Sequence, residues 1–165
     1  MNLGNRRLTN VDLAAALVAC GCREPRIYQA SGNAVVEDPR GPEALRAAVE
    51  EGLATALGYS VPTFVRSADA VRAIASADPF PGRQMGGKLQ VGILRQAPSG
   101  EARSLVASLD GEADALALGE QELFWWPSGS ILDSSLDLKA LERALGPWTQ
   151  RTHGTVQRLT KKYFS

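Results

Sequence analysis

The stretch KLQVGIL, residues 88–94, alternates apolar with other side chains and places Leu89, Val91 and Ile93 on one face. A period of two residues predicts a β-strand that turns one face toward a core. The preceding residues 79–87 contain two prolines and three glycines, which is typical of a loop or linker. We therefore expect a new folding unit to begin at residue 88.

The residues after this strand predict a regular order of elements. Their hydrophobic periodicity indicates a helix at 99–109, strands at 113–118 and 123–126, a helix at 135–145, an extended piece near Trp148 and a final helix at 152–163. The order strand, helix, strand, strand, helix, strand is that of the split βαβ, or ferredoxin-like, unit.

The residues before the linker predict the same order without its opening strand. The pattern indicates a helix at 9–20, a hairpin at 26–36 that turns at Ser31-Gly32-Asn33, a helix at 42–57, a strand at 61–65 and a helix that ends before Asp78. Both halves contain Leu-x-x-Ala-Leu-Gly, at 53–58 and at 141–146. We therefore predict an α+β fold of two ferredoxin-like (βαββαβ) halves: residues 1–78, which lack the first strand, a linker at 79–87, and residues 88–165 with a C-terminal helix.

The composition is that of an ordinary globular protein. Of 165 residues, 44% are hydrophobic and 22% charged, and the formal net charge is zero, which argues against disorder and against a strongly charged nucleic-acid or membrane surface. The sequence contains no apolar run of the roughly 20 residues that cross a bilayer, and its N-terminus lacks the apolar core of a secretory signal. We expect a cytoplasmic protein without a membrane partner.

The cysteines do not indicate a bridge or a metal site. Cys20 and Cys22 are separated only by Gly21, too close for an unstrained disulfide. Together with His153, the single histidine, they fall short of the four ligands of a structural zinc site. We expect neither a metal nor a cofactor.

Four short stretches form a pattern along most of the chain: MNLG at 1–4, RIYQASGNAVV at 26–36, DPF at 78–80 and TQRTHGTV at 149–156. In this order and spacing they resemble the motifs of a bacterial family, domain of unknown function 1697. The resemblance implies a pair of ferredoxin-like halves and brings no established activity with it.

The chain departs from that family's pattern in three places. Thr152 and His153 stand where the family usually has an asparagine and an aromatic residue, and Ser134-Ser135-Leu136 stands where it usually has Ser-Lys-Leu. Met1-Asn2 falls at the end of an Arg-Gly-Ile-Asn stretch that follows an apolar strand in the family. The resemblance therefore implies a missing segment of roughly 5–10 residues that includes one strand. We expect a mis-assigned start codon or a clipped gene fragment rather than a natural short form.

Restoring an upstream segment should raise the melting temperature of the chain. Each aliphatic residue that loses its burial costs about 1.5–3 kcal/mol. Several such losses approach the about 5–15 kcal/mol that stabilises a whole domain. Thermal unfolding of the chain with and without the extension tests this expectation, and equal melting temperatures would contradict it.

The resemblance singles out six polar residues for a ligand site: Asn2, Arg6, Ser31, Asn33, Arg151 and Thr155. Ser31 and Asn33 either serve the turn, which suits both residue types, or present a hydroxyl and an amide to a ligand. Arg151 and Thr155 flank the start of the last helix, where N–H groups and the positive end of the helix dipole favour anions. Alternatively, Thr152 caps that helix through the N–H of Thr155, and Arg151 pairs with an acid.

We predict a non-enzymatic module that binds a small anionic ligand, or a phosphate of a larger one, against Arg151. A small hydrolase or transferase that uses the same cleft is the alternative. Its Ser31 nucleophile lacks an activating base in any motif, so no catalytic residue is assigned. Two further alternatives are a homodimer joined through a sheet face near Trp125 or Trp126, and weak nucleic-acid binding by the basic C-terminal helix.

Overall fold

The computed structural model describes the backbone of residues 2–3 and 6–165, with side chains from residue 8 onward, and it is a mixed α+β structure. In chain order the elements are β1 (Asn2–Leu3), β2 (Arg6–Arg7), α1 (Asn10–Ala19), β3 (Arg23–Tyr28), β4 (Asn33–Glu37), α2 (Pro42–Leu57), α3 (Ala68–Ser76), β5 (Gln90–Leu94), α4 (Gly100–Leu109), β6 (Asp114–Leu118), β7 (Glu122–Pro127), α5 (Leu138–Leu145), β8 (Trp148–Thr152) and α6 (His153–Tyr163). The chain divides into two compact units, Met1–Ser67 and Ala68–Ser165.

A four-stranded antiparallel sheet in the order β6-β7-β5-β8 forms the centre of the second unit. Val91 of β5 pairs with Phe124 of β7 on one side and with Arg151 of β8 on the other. Neither Val91 nor Leu94 exposes any surface. The strand predicted from KLQVGIL is therefore confirmed, and it is buried on both faces rather than on one.

Helices account for this burial because they pack against both faces of the sheet. One cluster joins the strands to α4 and α5, and its buried members are Leu94, Ala102, Val106, Leu116, Leu123, Trp125, Leu141 and Leu145. The other joins the opposite face to α3, and its buried members are Ile74, Phe80, Val91, Ala115 and Phe124. Trp125 belongs to the first cluster and Trp126 packs against the second, as strand alternation predicts.

The boundary between the units differs from the predicted one. We placed the helix before Asp78 in the first half, but α3 packs against α6 and buries Ile74 in a core of the second unit. The boundary between the two units therefore lies after Ser67 in the sequence. Sequence order alone could not assign this helix, because the pattern predicts an apolar face but not the core that it enters.

The loop 79–87 is anchored to the second unit at several points. Phe80 is buried in its core. Arg83 donates from Nη1 to Asp110 Oδ1 (2.6 Å) and from Nη2 to Asp110 Oδ2 (2.8 Å). Trp126 Nε1 donates to the Gly87 carbonyl (2.8 Å). A loop held in this way belongs to the body of the unit.

In the first unit, α1 and α2 pack with the β3–β4 hairpin. Its buried apolar residues are Leu8, Leu13, Ala16, Leu17, Cys22, Leu45, Val49, Leu53 and Val61. The hairpin predicted at 26–36 is confirmed, because β3 and β4 pair antiparallel with Tyr28 opposite Asn33. A 3₁₀ turn at Gln29–Ser31 and a left-handed Gly32 (φ 74°) reverse the chain.

The strand predicted at 61–65 is wrong, since the described residues 59–67 contain no strand. Pro62 has no N–H to donate. The Thr63 N–H donates to Glu50 Oε1 (2.9 Å) instead of to a neighbouring strand. Val61 is nevertheless buried. The apolar pattern thus predicted burial correctly, but a strand also needs a backbone partner.

Helix α1 meets α2 at one tight contact. A Cβ atom placed on Gly52 of α2 would overlap Cys20 Sγ, which follows the last turn of α1. Gly52 lies in the middle of α2, where glycine is otherwise unfavourable. The thiol therefore explains why a glycine stands there.

Gly52→Ala should lower the free energy of unfolding in the natural chain and raise it in a Cys20→Ala chain. In the natural chain the added methyl meets Cys20 Sγ, and overpacking of this kind costs about 1–3 kcal/mol. In a Cys20→Ala background only the residue 20 Cβ remains, 3.4 Å from the new methyl, and the better helix propensity of alanine should add about 0.5–1 kcal/mol. Urea unfolding of the four chains measures both effects, and the same destabilisation in both backgrounds would contradict this account.

Arg40 links the end of α1 to the segment after β4. Its Nε donates to Asp38 Oδ1 (2.7 Å), and its Nη2 donates to Asp38 Oδ2 (2.6 Å) and to the Cys20 carbonyl (3.1 Å). The Asp38 side chain is 2% exposed. Its hydrogen bonds with Arg40 lower the pKa of Asp38 to about 2.

Acid should weaken the first unit over a defined range of pH. A carboxyl with a depressed folded pKa contributes stability above its unfolded pKa of about 3.9. It loses that contribution as the pH falls through the folded pKa of about 2. We expect Asp38→Asn to lower the melting temperature at pH 7, and we expect its difference from the natural chain to shrink between about pH 4 and pH 2.

Circular dichroism melts at these pH values provide the measurement. Asp69→Asn is the matched control, since it removes an exposed carboxylate that pairs with Arg72 within one helix. Surface pairs contribute little, so this control should change the melting temperature far less. A difference between Asp38→Asn and the natural chain that stays constant down to pH 2 would count against the ion pair.

Candidate functional site

The predicted site residues fall into separate groups. The side chains of Asn2 and Arg6 lie outside the described part of the chain. Ser31 and Asn33 lie in the first unit, and Arg151 and Thr155 lie in the second. A cleft shared by the two units stays a prediction.

Ser31 and Asn33 contact each other within the hairpin turn. Asn33 Nδ2 donates to Ser31 Oγ (2.8 Å) across Gly32. Gln29 precedes them with a positive φ of 60°, a conformation that is uncommon outside glycine. These contacts support the turn interpretation, with the exposed Ser31 at the surface of the hairpin.

The capping interaction predicted for the last helix is confirmed. The Thr155 N–H donates to Thr152 Oγ1 (3.2 Å), and the two hydroxyl oxygens lie 2.8 Å apart. Thr152 is the last residue of β8 and has extended backbone geometry, as an N-cap requires. Thr152 therefore caps the helix, a role that threonine and asparagine side chains can both fill.

Arg151 lies half-buried on β8, next to this cap. Its Nη1 donates to the Gln150 carbonyl (2.7 Å) and to Thr149 Oγ1 (2.9 Å). Burial lowers the pKa of the Arg151 guanidinium from its ordinary value, although an arginine stays charged in proteins. Arg151 is thus the residue before the N-cap, and its partly desolvated guanidinium bonds back along β8 to Gln150 and Thr149.

Arg158 and Gly154, which the sequence analysis did not assign to the site, complete this end of α6. Arg158 Nη2 donates to Thr155 Oγ1 (3.1 Å), and a Cβ on Gly154 would lie 3.3 Å from Arg158 Nη1. The guanidinium therefore lies over the first turn, because long helical side chains point toward the N-terminus. The sequence signal for this contact is that Thr155 and Gly154 precede Arg158 by three and four residues, the spacings at which helical side chains are neighbours.

The first N–H groups of α6 are used unequally. The His153 N–H donates to the Leu89 carbonyl (2.8 Å), and the Thr155 N–H donates to Thr152. Among the residues that the structure describes, the Gly154 N–H has no hydrogen-bond partner. A donor between two guanidinium-bearing residues at a helix N-terminus is a suitable place for an oxyanion.

His153 contributes to packing at this junction. Its Nε2 lies 2.8 Å from the Ile74 carbonyl oxygen, and its ring meets Phe124 edge-on with centroids 6.4 Å apart. The histidine is 8% exposed. It is therefore a flat buried ring in the core, and its hydrogen bond joins α6 to α3.

The thiols of the first unit do not have the features of reactive cysteines. Burial raises the pKa of both Cys20 and Cys22, which keeps them protonated, whereas reactive cysteines have a lowered pKa. In the described part of the chain, no three side chains from His, Cys, Asp and Glu are grouped as metal ligands. The helices described there include none that is both long and apolar enough to cross a membrane.

Comparisons with known proteins identify relatives by sequence and by structure. A family model described as "Protein of unknown function (DUF1697)" matches residues 1–124, so the match ends before β8 and α6. A conserved bacterial protein from Streptococcus pneumoniae has a similar structure, with a TM-score of 0.75 and 17% identity over 98% of this chain and 93% of that chain. At this identity the likeness shows the fold alone. No curated protein matches the chain.

Proposed function

The chain belongs to the DUF1697 family, whose description assigns no function, and we propose that it binds the phosphate or carboxylate group of a small ligand at the N-terminus of α6. The observation that carries this proposal is the Arg158 guanidinium, which lies over the first turn of that helix and contacts Thr155 Oγ1. Arg151 stands on the other side of the cap.

The shape of this site supports a ligand that approaches the backbone closely. Gly154 has no side chain to cover its N–H, and its neighbours Thr152 and Thr155 bring hydroxyl groups. A helix of 11 residues directs its positive dipole end to the same point. An oxyanion there could accept bonds from one N–H, from the one threonine hydroxyl that does not donate within the Thr152–Thr155 pair, and from a guanidinium at once.

The charge around the site also supports an anionic ligand. Residues 148–165 contain Arg151, Arg158, Lys161 and Lys162 and no acidic residue. A local excess of cations raises the concentration of anions near the helix even though the chain as a whole is neutral. Ser31 and Asn33 remain proposed second contributors from the hairpin.

Two alternatives make different use of the same elements. A hydrolase or transferase would need a base within hydrogen-bond reach of a nucleophile, and His153, the single histidine, bonds to the Ile74 carbonyl in the second unit, whereas Ser31 belongs to the first. Nucleic-acid binding would use the whole basic face of α6, including Lys161 and Lys162, with strong salt dependence.

Arg158→Gln should weaken the binding of inorganic phosphate or a nucleoside monophosphate at least about tenfold, since a charged hydrogen bond contributes about 1.5–3 kcal/mol. Its side chain is exposed, so the fold should be retained. Isothermal titration calorimetry of the full chain measures the affinity. Gly154→Ala should weaken binding as well, because the new methyl lies 3.3 Å from Arg158 Nη1 and shifts the guanidinium from its place over the first turn.

Lys161→Gln is the matched control, because it removes one exposed positive charge from the other end of the same helix. A phosphate site at the N-terminus predicts that this variant loses much less affinity than Arg158→Gln, because Lys161 contributes only to the general positive field. Equal losses in both variants would replace the site by diffuse charge attraction and favour nucleic acid. Absence of binding to the natural chain would end the proposal.

We further propose that the two units derive from a duplicated βαββαβ fold. The sheet order β6-β7-β5-β8 supports this for the second unit, in which α4 follows β5 and α5 follows β7 along the chain. The Leu-x-x-Ala-Leu-Gly stretches supply a shared detail: Gly58 and Gly146 end α2 and α5 with positive φ angles of 74° and 73°. A cytoplasmic, bacterial protein fits the free cysteines and the relative from Streptococcus pneumoniae.

A further inference from the structure

Strand β6 lies at one end of the four-stranded sheet, so one of its edges faces no further strand of that sheet. The Gly119 N–H donates to the Glu122 carbonyl (2.9 Å), and the register therefore joins the odd-numbered residues of β6 to β7. Because the bonds of an antiparallel ladder alternate, Asp114, Leu116 and Leu118 direct their backbone N–H and C=O groups away from the sheet.

The side chains of β6 do not protect this edge. A row of outward backbone groups is a template on which another strand can pair, and exposed charges on the strand usually prevent this. The sequence of β6 is DALAL. Its one charged residue, Asp114, is buried and accepts from Trp125 Nε1 (2.6 Å) inside the unit. Protection of the edge therefore has to come from outside the strand.

The turn between α4 and β6 bonds the edge as a neighbouring strand would. The Leu116 N–H donates to Asp110 Oδ1 (2.9 Å), and the Gly111 N–H donates to the Asp114 carbonyl (2.9 Å). Asp110 thus supplies the acceptor and Gly111 the donor of a strand partner. Among the residues that the structure describes, the Leu116 carbonyl and the Leu118 N–H have no hydrogen-bond partner.

Arg83 fixes the Asp110 carboxylate in this position. Its guanidinium donates to both carboxylate oxygens, which lowers the pKa of Asp110 and keeps the group charged at neutral pH. Arg83 is fixed in turn by the buried Phe80, because its N–H donates to the Phe80 carbonyl (3.0 Å) and its guanidinium lies 6.0 Å from the ring centroid. The Asp110 side chain is still 27% exposed, so the charge is at the surface.

The other end strand, β8, has a comparable contact of opposite charge. The His153 N–H donates to the Leu89 carbonyl, so the register directs the Gln150 carbonyl away from β5. Arg151 Nη1 donates to this carbonyl (2.7 Å). A charged side chain thus bonds an outward backbone group at each end of the sheet, which supports edge protection as the common role of these contacts.

We propose that Asp110 protects β6 against the addition of another strand, and that β6 of a second copy of the chain pairs with this edge when the Asp110 acceptor is removed. The edge is complementary to itself: antiparallel pairing about Leu116 joins each Leu116 N–H to the partner's Leu116 carbonyl. Asp110 Oδ1 occupies the place of that carbonyl. A two-fold axis there would also bring two Asp110 carboxylates together, which is unfavourable.

Amide hydrogen exchange of the full natural chain, resolved by residue with NMR, gives the first readout. Leu116 and Leu118 both direct their N–H groups outward, but Asp110 bonds only the first. We expect the protection factor of the Leu116 amide to be at least about tenfold higher than that of the Leu118 amide. Equal protection of the two amides would overturn the proposal without any variant.

Asp110→Ala and Asp110→Asn separate edge protection from the ion pair. Both variants lose the ion pair with Arg83, but the asparagine carbonyl oxygen can still accept from the Leu116 N–H. We expect Asp110→Ala to self-associate in sedimentation velocity between about 10 µM and about 1 mM, and Asp110→Asn to sediment as the natural chain does. In the associated sample the Leu116 and Leu118 amides should both be protected.

Three results would overturn the proposal. Sedimentation of Asp110→Ala like the natural chain at all concentrations would show that the edge needs no protection. Equal association of both variants would assign the effect to the ion pair and the loop 79–87. Association that leaves the Leu118 amide unprotected would place the contact on another surface.

Circular dichroism melts show whether each variant is folded. Asp110→Leu, an apolar side chain of similar size, takes the place of Asp110→Ala in the same comparison if the alanine variant does not fold. The residues that carry this proposal are separate from the ligand contacts proposed at α6, so the two proposals can fail separately.

Discussion

The antiparallel register of β5 between β7 and β8 is the constraint on which the second unit depends. Alternate residues of β5 enter different cores, so a shift of one residue would exchange the contents of the two faces. Val91 and Leu94 would leave the cores in which neither exposes any surface. The same register sets Thr152 opposite Gln90. The point where β8 ends and α6 begins, and with it the candidate ligand site, is therefore fixed by the pairing of one central strand.

The fold could be predicted from sequence wherever the hydrophobic pattern within one segment was sufficient to define a helix or a strand. The helix expected at 99–109 agrees with α4 to within one residue, and the strands expected at 113–118 and 123–126 pair as β6 and β7. The prediction failed where the outcome depended on a distant partner. Residues 61–65 have an apolar pattern but form no strand within the described residues 2–3 and 6–165, and α3 packs on α6, which follows it by more than seventy residues.

The helix cap at the candidate site could be predicted from the sequence, but the position of the Arg158 side chain and the role of His153 could not. Thr152 and Thr155 have the spacing of a cap, and the cap forms. Arg158 has no motif of its own, and its position over the first turn follows from the direction of helical side chains and from the missing Cβ of Gly154. His153 could be taken for a catalytic group on residue type alone. Its burial beside Phe124 and its bond to the Ile74 carbonyl, which no local pattern encodes, give it a structural role.

The thiol of Cys22 has a further consequence for how this chain can be studied. It is 3% exposed in the first unit, and burial raises its pKa. A soluble alkylating reagent therefore reaches it only while the surrounding helices and hairpin separate. The modification rate of Cys22, measured in a Cys20→Ala chain because Cys20 is only partly buried, then reports how often this part of the chain opens, in the same way that amide exchange does. The accessibility of Cys22 to such a reagent is therefore a direct reporter of local unfolding in the first unit.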